Sequence, residues 1–216
     1  MKLFIISIFI ISSIQTSFAV EPNYKKVLTD YEAKGFSLET LCDINFNQIT
    51  FEELNPPWIV YKGEYKVLNN ALTGFELASD HHVATSGMNL NLKHQGFIYF
   101  ELKLQDASNI IVTLNGKGRG HVCRAVLSKK FIRVQSDNKG KAVNITQPLK
   151  LKSDQLYKVL IKLDHDTLSL NILNAEQKET LTLQNNFIHH PIDNIRWAVA
   201  KGPAIIDNIF VTRAFK

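Results

Sequence analysis

The chain has 216 residues, of which 45% are hydrophobic and 21% are charged, and its formal net charge at pH 7 is +5. This length is sufficient for one domain with a sizeable core. The positive charge is mild and scattered, whereas nucleic-acid-binding proteins concentrate basic residues on one face, so we expect no nucleic-acid partner. No motif in the chain indicates a cofactor. A small lysine cluster predicts a solvated loop and consists of Lys139, Lys141, Lys150 and Lys152.

The first nineteen residues have the pattern of a secretory signal peptide. Lys2 makes the start positive, residues 3–14 are almost entirely apolar, and Ser17 and Ala19 place small side chains at the −3 and −1 positions of a cleavage site. The apolar run is shorter than the roughly 20 residues that a membrane-spanning helix needs. We therefore predict cleavage after Ala19, a secreted or periplasmic location, and no membrane insertion after cleavage.

The next segment, residues 20–38, is predicted to be a helical lead-in. Tyr24, Val27 and Tyr31 follow one another at helical spacing, and Gly35 is a plausible end of the helix. The apolar side of this helix would pack on the main domain, which we place at residues 39–216.

From about residue 40 onward, apolar and polar residues alternate with the period of two that is typical of β-strands. Strands are predicted at 58–61, 65–68, 97–104, 109–115, 121–127, 131–135, 157–163, 167–172, 179–183, 194–199 and 205–212. Many strands with one apolar face predict an all-β fold, a two-sheet antiparallel β-sandwich. The number of predicted strands exceeds that of an immunoglobulin-type domain and favours a jelly roll of two broad sheets.

Several segments resemble a known family. Residues 43–47 (Asp-Ile-Asn-Phe-Asn), residues 58–72 (beginning Trp-Ile-Val-Tyr) and residues 206–213 are similar to strands of concanavalin A-like (laminin-G-like) jelly rolls of the 3-keto-disaccharide hydrolase-like type. Residues 80–84 (Asp-His-His-Val-Ala) and 120–124 (Gly-His-Val-Cys-Arg) resemble secreted bacterial members of that fold, mostly uncharacterised.

The resemblance implies a concanavalin A-like domain that binds or organises carbohydrate at the cell exterior. Two alternatives stay open. One is a hydrolase or lyase that acts on glycosides such as 3-keto-disaccharides, and the other is a protein-interaction module that uses the sheet surface. A hydrolase normally needs two carboxylates about 5–10 Å apart, and nothing in the sequence spacing pairs two acids, so the catalytic residues are unknown.

The histidines and cysteines do not form a metal-binding motif. His81 and His82 are adjacent and would point to opposite faces of a strand, and the pair formed by His189 and His190 has the same problem, so no metal is predicted. Cys42 and Cys123 form either a disulfide or two buried free thiols, and both possibilities remain open at this level.

The strand at 121–127 carries the most informative polar residues. Strict alternation places His121 on the face of Cys123, and Arg124 on the opposite face. A buried arginine is costly without a partner, so Arg124 is exposed, pairs with an acid such as Glu101, or lines a groove. Arg133, in the next predicted strand, would lie near Arg124 if the two strands pair.

These patterns predict a carbohydrate-binding groove whose polar and stacking groups come from several strands. The predicted ligand-binding residues are His82, His121, Arg124, Arg133, Tyr99 and Glu101. Of the two tryptophans, Trp58 is predicted to fill the core, whereas Trp197 fits either the core or the groove. The number of subunits does not follow from the sequence.

Overall fold

A computed structural model describes residues 24–47, 49–54, 56–138, 141–174 and 179–216. The predicted signal peptide and Lys139 lie outside the described residues. The described part of the chain contains no helix that is long and apolar enough to cross a membrane.

One short α-helix, α1 (Tyr24–Glu32), precedes the strands, as predicted. It ends because Gly35 adopts a positive φ of 81°, which glycine tolerates at little cost. The Phe36 amide then donates back to the Tyr31 carbonyl at 3.2 Å and closes the last turn.

The strands account for most of the remaining described chain. They are β1 (Ser37–Ile44), β2 (Ile59–Lys62), β3 (Glu64–Leu68), β4 (Ala71–Phe75), β5 (Ala84–Lys93), β6 (Gln95–Lys103), β7 (Asn109–Gly116), β8 (Gly120–Ser128), β9 (Phe131–Asn138), β10 (Lys141–Pro148), β11 (Tyr157–Asp164), β12 (Thr167–Ile172), β13 (Glu179–Gln184), β14 (Ile192–Ala200) and β15 (Ala204–Phe215). Single 3-10 turns occur at Phe51–Glu53, Ala78–Asp80 and Asn186–Ile188.

The strands form two antiparallel sheets that pack face to face. One has eight strands in the order β13-β12-β11-β6-β15-β4-β3, with β1 paired to β15, and the other has seven in the order β10-β9-β8-β7-β14-β5-β2. The predicted two-sheet β-sandwich is confirmed. The prediction of a loop for the lysine cluster is wrong at Lys141, because β10 pairs with β9 along its whole length.

The core lies between the sheets and contains both tryptophans. Trp58 and Trp197 stack with ring centroids 5.2 Å apart, and Phe100 meets Trp197 edge-on at 6.3 Å. Cys42 and Cys123 are also buried here as free thiols. Burial raises the pKa of Cys42 to about 12 and raises the pKa of Cys123 as well, so both sulfurs are protonated at neutral pH.

A second, smaller apolar cluster lies on the outer face of the eight-stranded sheet. There α1 packs its apolar side onto Phe97, Tyr99 and Leu160, with Tyr31 at the centre of the contact. Tyr31 also donates a hydrogen bond to Asp164 at 3.3 Å, which ties the helix to β11. The helix therefore covers part of this sheet, whereas the described chain places no helix on the seven-stranded sheet.

Three imidazole rings stack at one end of the sandwich. His94 lies between β5 and β6, His165 lies between β11 and β12, and His189 follows the last 3-10 turn. The ring centroid of His189 is 4.9 Å from that of His94 and 5.9 Å from that of His165. Among the described residues, neither this stack nor any other group of three His, Cys, Asp or Glu side chains is arranged to hold a metal ion.

Acidification is expected to destabilise the fold through His94 and His190. Burial lowers the pKa of His94, and the pKa of the adjacent His190 is lowered by burial and by Arg119. Below about pH 6.5 the unfolded chain therefore binds more protons than the native one, so stability rises with pH through this range. Thermal unfolding should show a melting temperature that falls from pH 7.5 to 5.5. His94→Gln should flatten this dependence, and an unchanged slope would contradict the assignment.

Candidate binding site

A β-bulge in β8 places His121 on the outer face of the seven-stranded sheet. Leu114 of β7 pairs with Cys123 but the next residue, Asn115, pairs with His121, so Val122 is the extra residue. Val122 and Cys123 are both fully buried in the core. The expectation that His121 shares a face with Cys123 is therefore wrong, because the bulge reverses the alternation and brings His121 to the side of Arg124.

His121 begins a chain of hydrogen bonds that crosses the sheet. Its Nδ1 lies 2.7 Å from Asn115 Oδ1, and Asn115 Nδ2 donates to Asn194 Oδ1 at 2.9 Å. Because Asn115 uses its amide nitrogen toward Asn194, its oxygen is the acceptor and His121 Nδ1 carries the hydrogen. The Nε2 atom of neutral His121 is then an acceptor without a hydrogen-bond partner in the described part of the chain.

Asn194 of β14 is the centre of these contacts. Its Nδ2 lies 2.9 Å from Asn89 Oδ1, 3.2 Å from the Tyr61 hydroxyl and 3.2 Å from the Met88 carbonyl. Its side chain is buried, so these bonds replace those that water would make. Four strands, β2, β5, β7 and β14, are joined by this one amide group.

Arg196 is held in place by two of these residues. Its Nε donates to Asn194 Oδ1 at 2.9 Å, and its guanidinium carbon lies 4.0 Å from the centroid of the Tyr61 ring. The terminal nitrogens of Arg196 have no hydrogen-bond partner among the described residues. We call the set His121, Asn115, Asn194, Tyr61 and Arg196 the polar network.

Arg124 lies beside the polar network and carries an unused donor. Its Nη2 bonds Asp137 of β9 at 2.7 Å, whereas its Nε is buried without a hydrogen-bond partner among the described residues. Glu101, the partner suggested by the sequence, lies in the other sheet. The pKa of His121 is lowered, first by burial and then by the positive charges of Arg124 and Arg196, which outweigh Asp137.

Arg133 lies on the same face, nearer the sheet edge. β8 pairs with β9 so that Arg124 is opposite Gln135. Arg133 precedes Gln135 by two residues in β9, and residues two apart in a strand lie on the same face. The predicted proximity of Arg124 and Arg133 therefore follows from the pairing. Arg133 donates through Nε to Thr146 at 2.8 Å, and its guanidinium carbon lies 4.9 Å from the Phe131 ring centroid.

The other three predicted site residues lie elsewhere. Tyr99 and Glu101 are on β6 in the eight-stranded sheet, where Tyr99 donates to Glu101 at 2.9 Å and packs against Tyr24 of α1 with ring centroids 4.2 Å apart. His82 is in the exposed segment before β5, seven residues from Asn89 and up to roughly 20 Å along the strand direction. The six residues therefore do not share one groove, and their binding roles stay predictions.

Sequence reasoning did not include Tyr61, Asn194 and Arg196 in the site. A signal for two of them was present, because Asn194 and Arg196 alternate with the buried residues Ile195 and Trp197. A polar residue at every second position of a strand marks its outer face. Nothing in the sequence indicated that β2 would place Tyr61 against β14.

Comparisons with known proteins agree on the fold and not on a family. No protein-family model and no curated protein sequence matches the chain. Among solved structures, a carbohydrate binding module, CBM66 from Bacillus subtilis, matches with a TM-score of 0.54 and 9% identity over 70% of this chain and 92% of that one. The CBM2 module of the evolved Dit of Lactobacillus casei BL23 phage J-1 matches with a TM-score of 0.57 and 12% identity, over 82% and 96% of the two chains.

A sialidase matches with a TM-score of 0.59 and 10% identity. The match covers 80% of this chain but only 18% of the sialidase, so the chain spans less than a fifth of that protein's length. The fold is a concanavalin A-like jelly roll. At these identities the similarity establishes the fold alone. The 3-keto-disaccharide hydrolase-like type therefore stays a prediction.

Proposed function

We propose that the protein binds carbohydrate at the cell exterior, on the outer face of the seven-stranded sheet. The observation that carries the proposal is the polar network, which fixes several side chains and leaves donors and acceptors unused. Saccharide hydroxyl groups both donate and accept hydrogen bonds, so a site that binds them needs both kinds of group in fixed positions. The carbohydrate-binding modules with the same fold support this proposal.

The unused groups are of complementary kinds. Arg196 offers its terminal N–H donors, and neutral His121 offers Nε2 as an acceptor. Arg196 is held by Asn194 and Tyr61 before any ligand arrives, so little side-chain entropy remains to be lost on binding. The outer face of the opposite sheet is less suitable, because α1 covers Tyr99 and part of its surroundings.

Retention on polysaccharides tests this function. In affinity electrophoresis through gels that contain one polysaccharide each, the wild-type protein should be retarded by at least one of them. Arg196→Ala should weaken that retention at least about tenfold, because it removes the fixed guanidinium group. Lys66→Ala is the matched control, since Lys66 is an exposed cation on the other sheet. The absence of retention on every glycan would contradict the proposal.

A second candidate is a hydrolase or lyase that acts on glycosides, such as 3-keto-disaccharides, at the same face. His121 favours it, because its Nε2 is a free base whose pKa is held low by burial. Among the described residues, Asp137 is the carboxylate that contacts Arg124. A two-carboxylate mechanism needs a second acid beside it, so this arrangement favours chemistry based on the histidine. Release of reducing ends by the wild-type protein, lost in His121→Ala but not in Lys66→Ala, would support catalysis.

A further inference from the structure

We propose that the face around Arg124 and Arg196 is specific for glycans that carry carboxylate groups, such as polymers of uronic acids. This inference rests on the proposed function and names its ligand class. It follows from the charges on the face, the geometry of the two guanidinium groups and the environment of His121.

The charged side chains placed on this face are mainly positive. Arg124, Arg133 and Arg196 lie on it together with His121, whereas Asp137 is the acid that contacts them among the described residues. Asp137 bonds Nη2 of Arg124, and Arg196 has no anionic partner among the residues that the structure describes. A site built for neutral sugars has no need of an unpaired, partly buried guanidinium group, whose desolvation costs free energy.

The guanidinium group of Arg196 is presented in the orientation that suits a planar anion. Asn194 occupies its Nε, and the Tyr61 ring covers one side of its plane at 4.0 Å. The two terminal nitrogens remain for a ligand. A pair of parallel N–H groups matches the two oxygens of a carboxylate, and such bidentate pairs are stronger than hydrogen bonds between neutral groups.

Arg124 supplies a second position for an anionic group. Its side chain is 28% exposed and Asp137 bonds its Nη2, whereas its Nη1 has no hydrogen-bond partner among the described residues and is left for a ligand. Both Arg124 and Arg196 pair across strands with Thr113 of β7, so their strands are two strand spacings apart, about 10 Å. A linear acidic glycan carries carboxylates at regular intervals, so one chain can contact both arginines.

His121 makes the binding of an acid distinguishable from the binding of a neutral sugar. The groups that face it are Asn115 of β7, Arg124 of β8, Asp137 of β9 and Arg196 of β14. In the free protein the two arginines favour its neutral form. A carboxylate placed among these groups offsets their charge and favours the imidazolium form, so binding an acidic ligand takes up a proton.

The experiment uses pairs of polymers that differ only in the carboxylate. The probes are polygalacturonate, alginate and hyaluronate, each against its methyl ester, with dextran and galactan as neutral polymers and dextran sulfate as a sulfated one. At least one acidic polymer should bind at least about tenfold more tightly than its ester. Arg196→Gln should remove this preference and Arg196→Lys should reduce it, because lysine keeps the charge without the planar fork. Lys66→Gln, with the same change of charge on the other sheet, should retain it.

The pH dependence provides an independent readout. Affinity for the preferred acidic polymer should rise about threefold or more from pH 7.5 to 6.0, and His121→Gln should abolish this rise. Equal affinity for acid and ester would overturn the inference and leave carbohydrate binding intact. A preference for dextran sulfate over every carboxylate polymer would overturn the carboxylate assignment. Retention on no polymer at all would overturn both proposals.

Discussion

Asn194→Ala is expected to lower the free energy of unfolding by about 2–3 kcal/mol and to remove glycan retention. The substitution deletes the acceptor of Asn115 Nδ2 and of Arg196 Nε in one step. Asn115 is itself buried, so its amide is left without a partner and without water, which costs about 1–3 kcal/mol. Arg196 loses the bond that fixes it over Tyr61. Urea unfolding and affinity electrophoresis measure the two effects on the same preparation.

The matched control is Asn89→Ala. Asn89 is exposed and bonds the same Asn194 amide at 2.9 Å, but Asn194 retains its other partners when Asn89 is removed. Its loss should change the free energy of unfolding by less than about 0.5 kcal/mol. If the two variants lose equal stability, Asn194 is not the centre of the network, and the positions assigned to Arg196 and Asn115 would need another explanation.

The sandwich was predictable because the alternation of apolar residues reports burial directly. In β6 and β7, the residues of the apolar alternating face, such as Phe100 and Val112, are buried. β10 escaped prediction for the same reason, because its side chains are exposed along almost its whole length and give no apolar alternation. Its position is determined by backbone pairing with β9, which leaves no mark in the sequence pattern.

The site was less predictable because it depends on register and on which sheet a strand joins. The bulge in β8 reverses the face of His121, and a bulge is a property of the pairing with β7 rather than of the strand alone. Alternation separates Tyr99 and Glu101 from the face of Phe100, but it does not reveal that β6 belongs to the opposite sheet. Neither does it reveal that α1 packs over Tyr99.

Gly87→Ala is expected to cost about 3 kcal/mol of stability and to disturb the binding face together with the fold. A Cβ atom at this position would lie 2.1 Å from the Ile195 carbonyl oxygen and 2.8 Å from the Arg196 Cα. Both atoms belong to the backbone of β14, so no side-chain rotation relieves the overlap, and β5 and β14 must move apart. The space between the strands therefore requires glycine here.

Gly116→Ala is the matched control for this prediction, since Gly116 is also a strand glycine but with more room. Its added Cβ would lie 3.1 Å from the Pro191 carbonyl oxygen and 3.2 Å from Val122 Cγ2, contacts that shifts of a few tenths of an ångström relieve. A loss of about 1 kcal/mol in urea unfolding is expected, against about 3 for Gly87→Ala. Because Gly87 pairs directly with Arg196, wild-type stability in Gly87→Ala would mean that β5 and β14 pair in another register. Arg196 and Asn194 would then not meet Tyr61 and Asn89, and the proposed binding face would lose its structural basis.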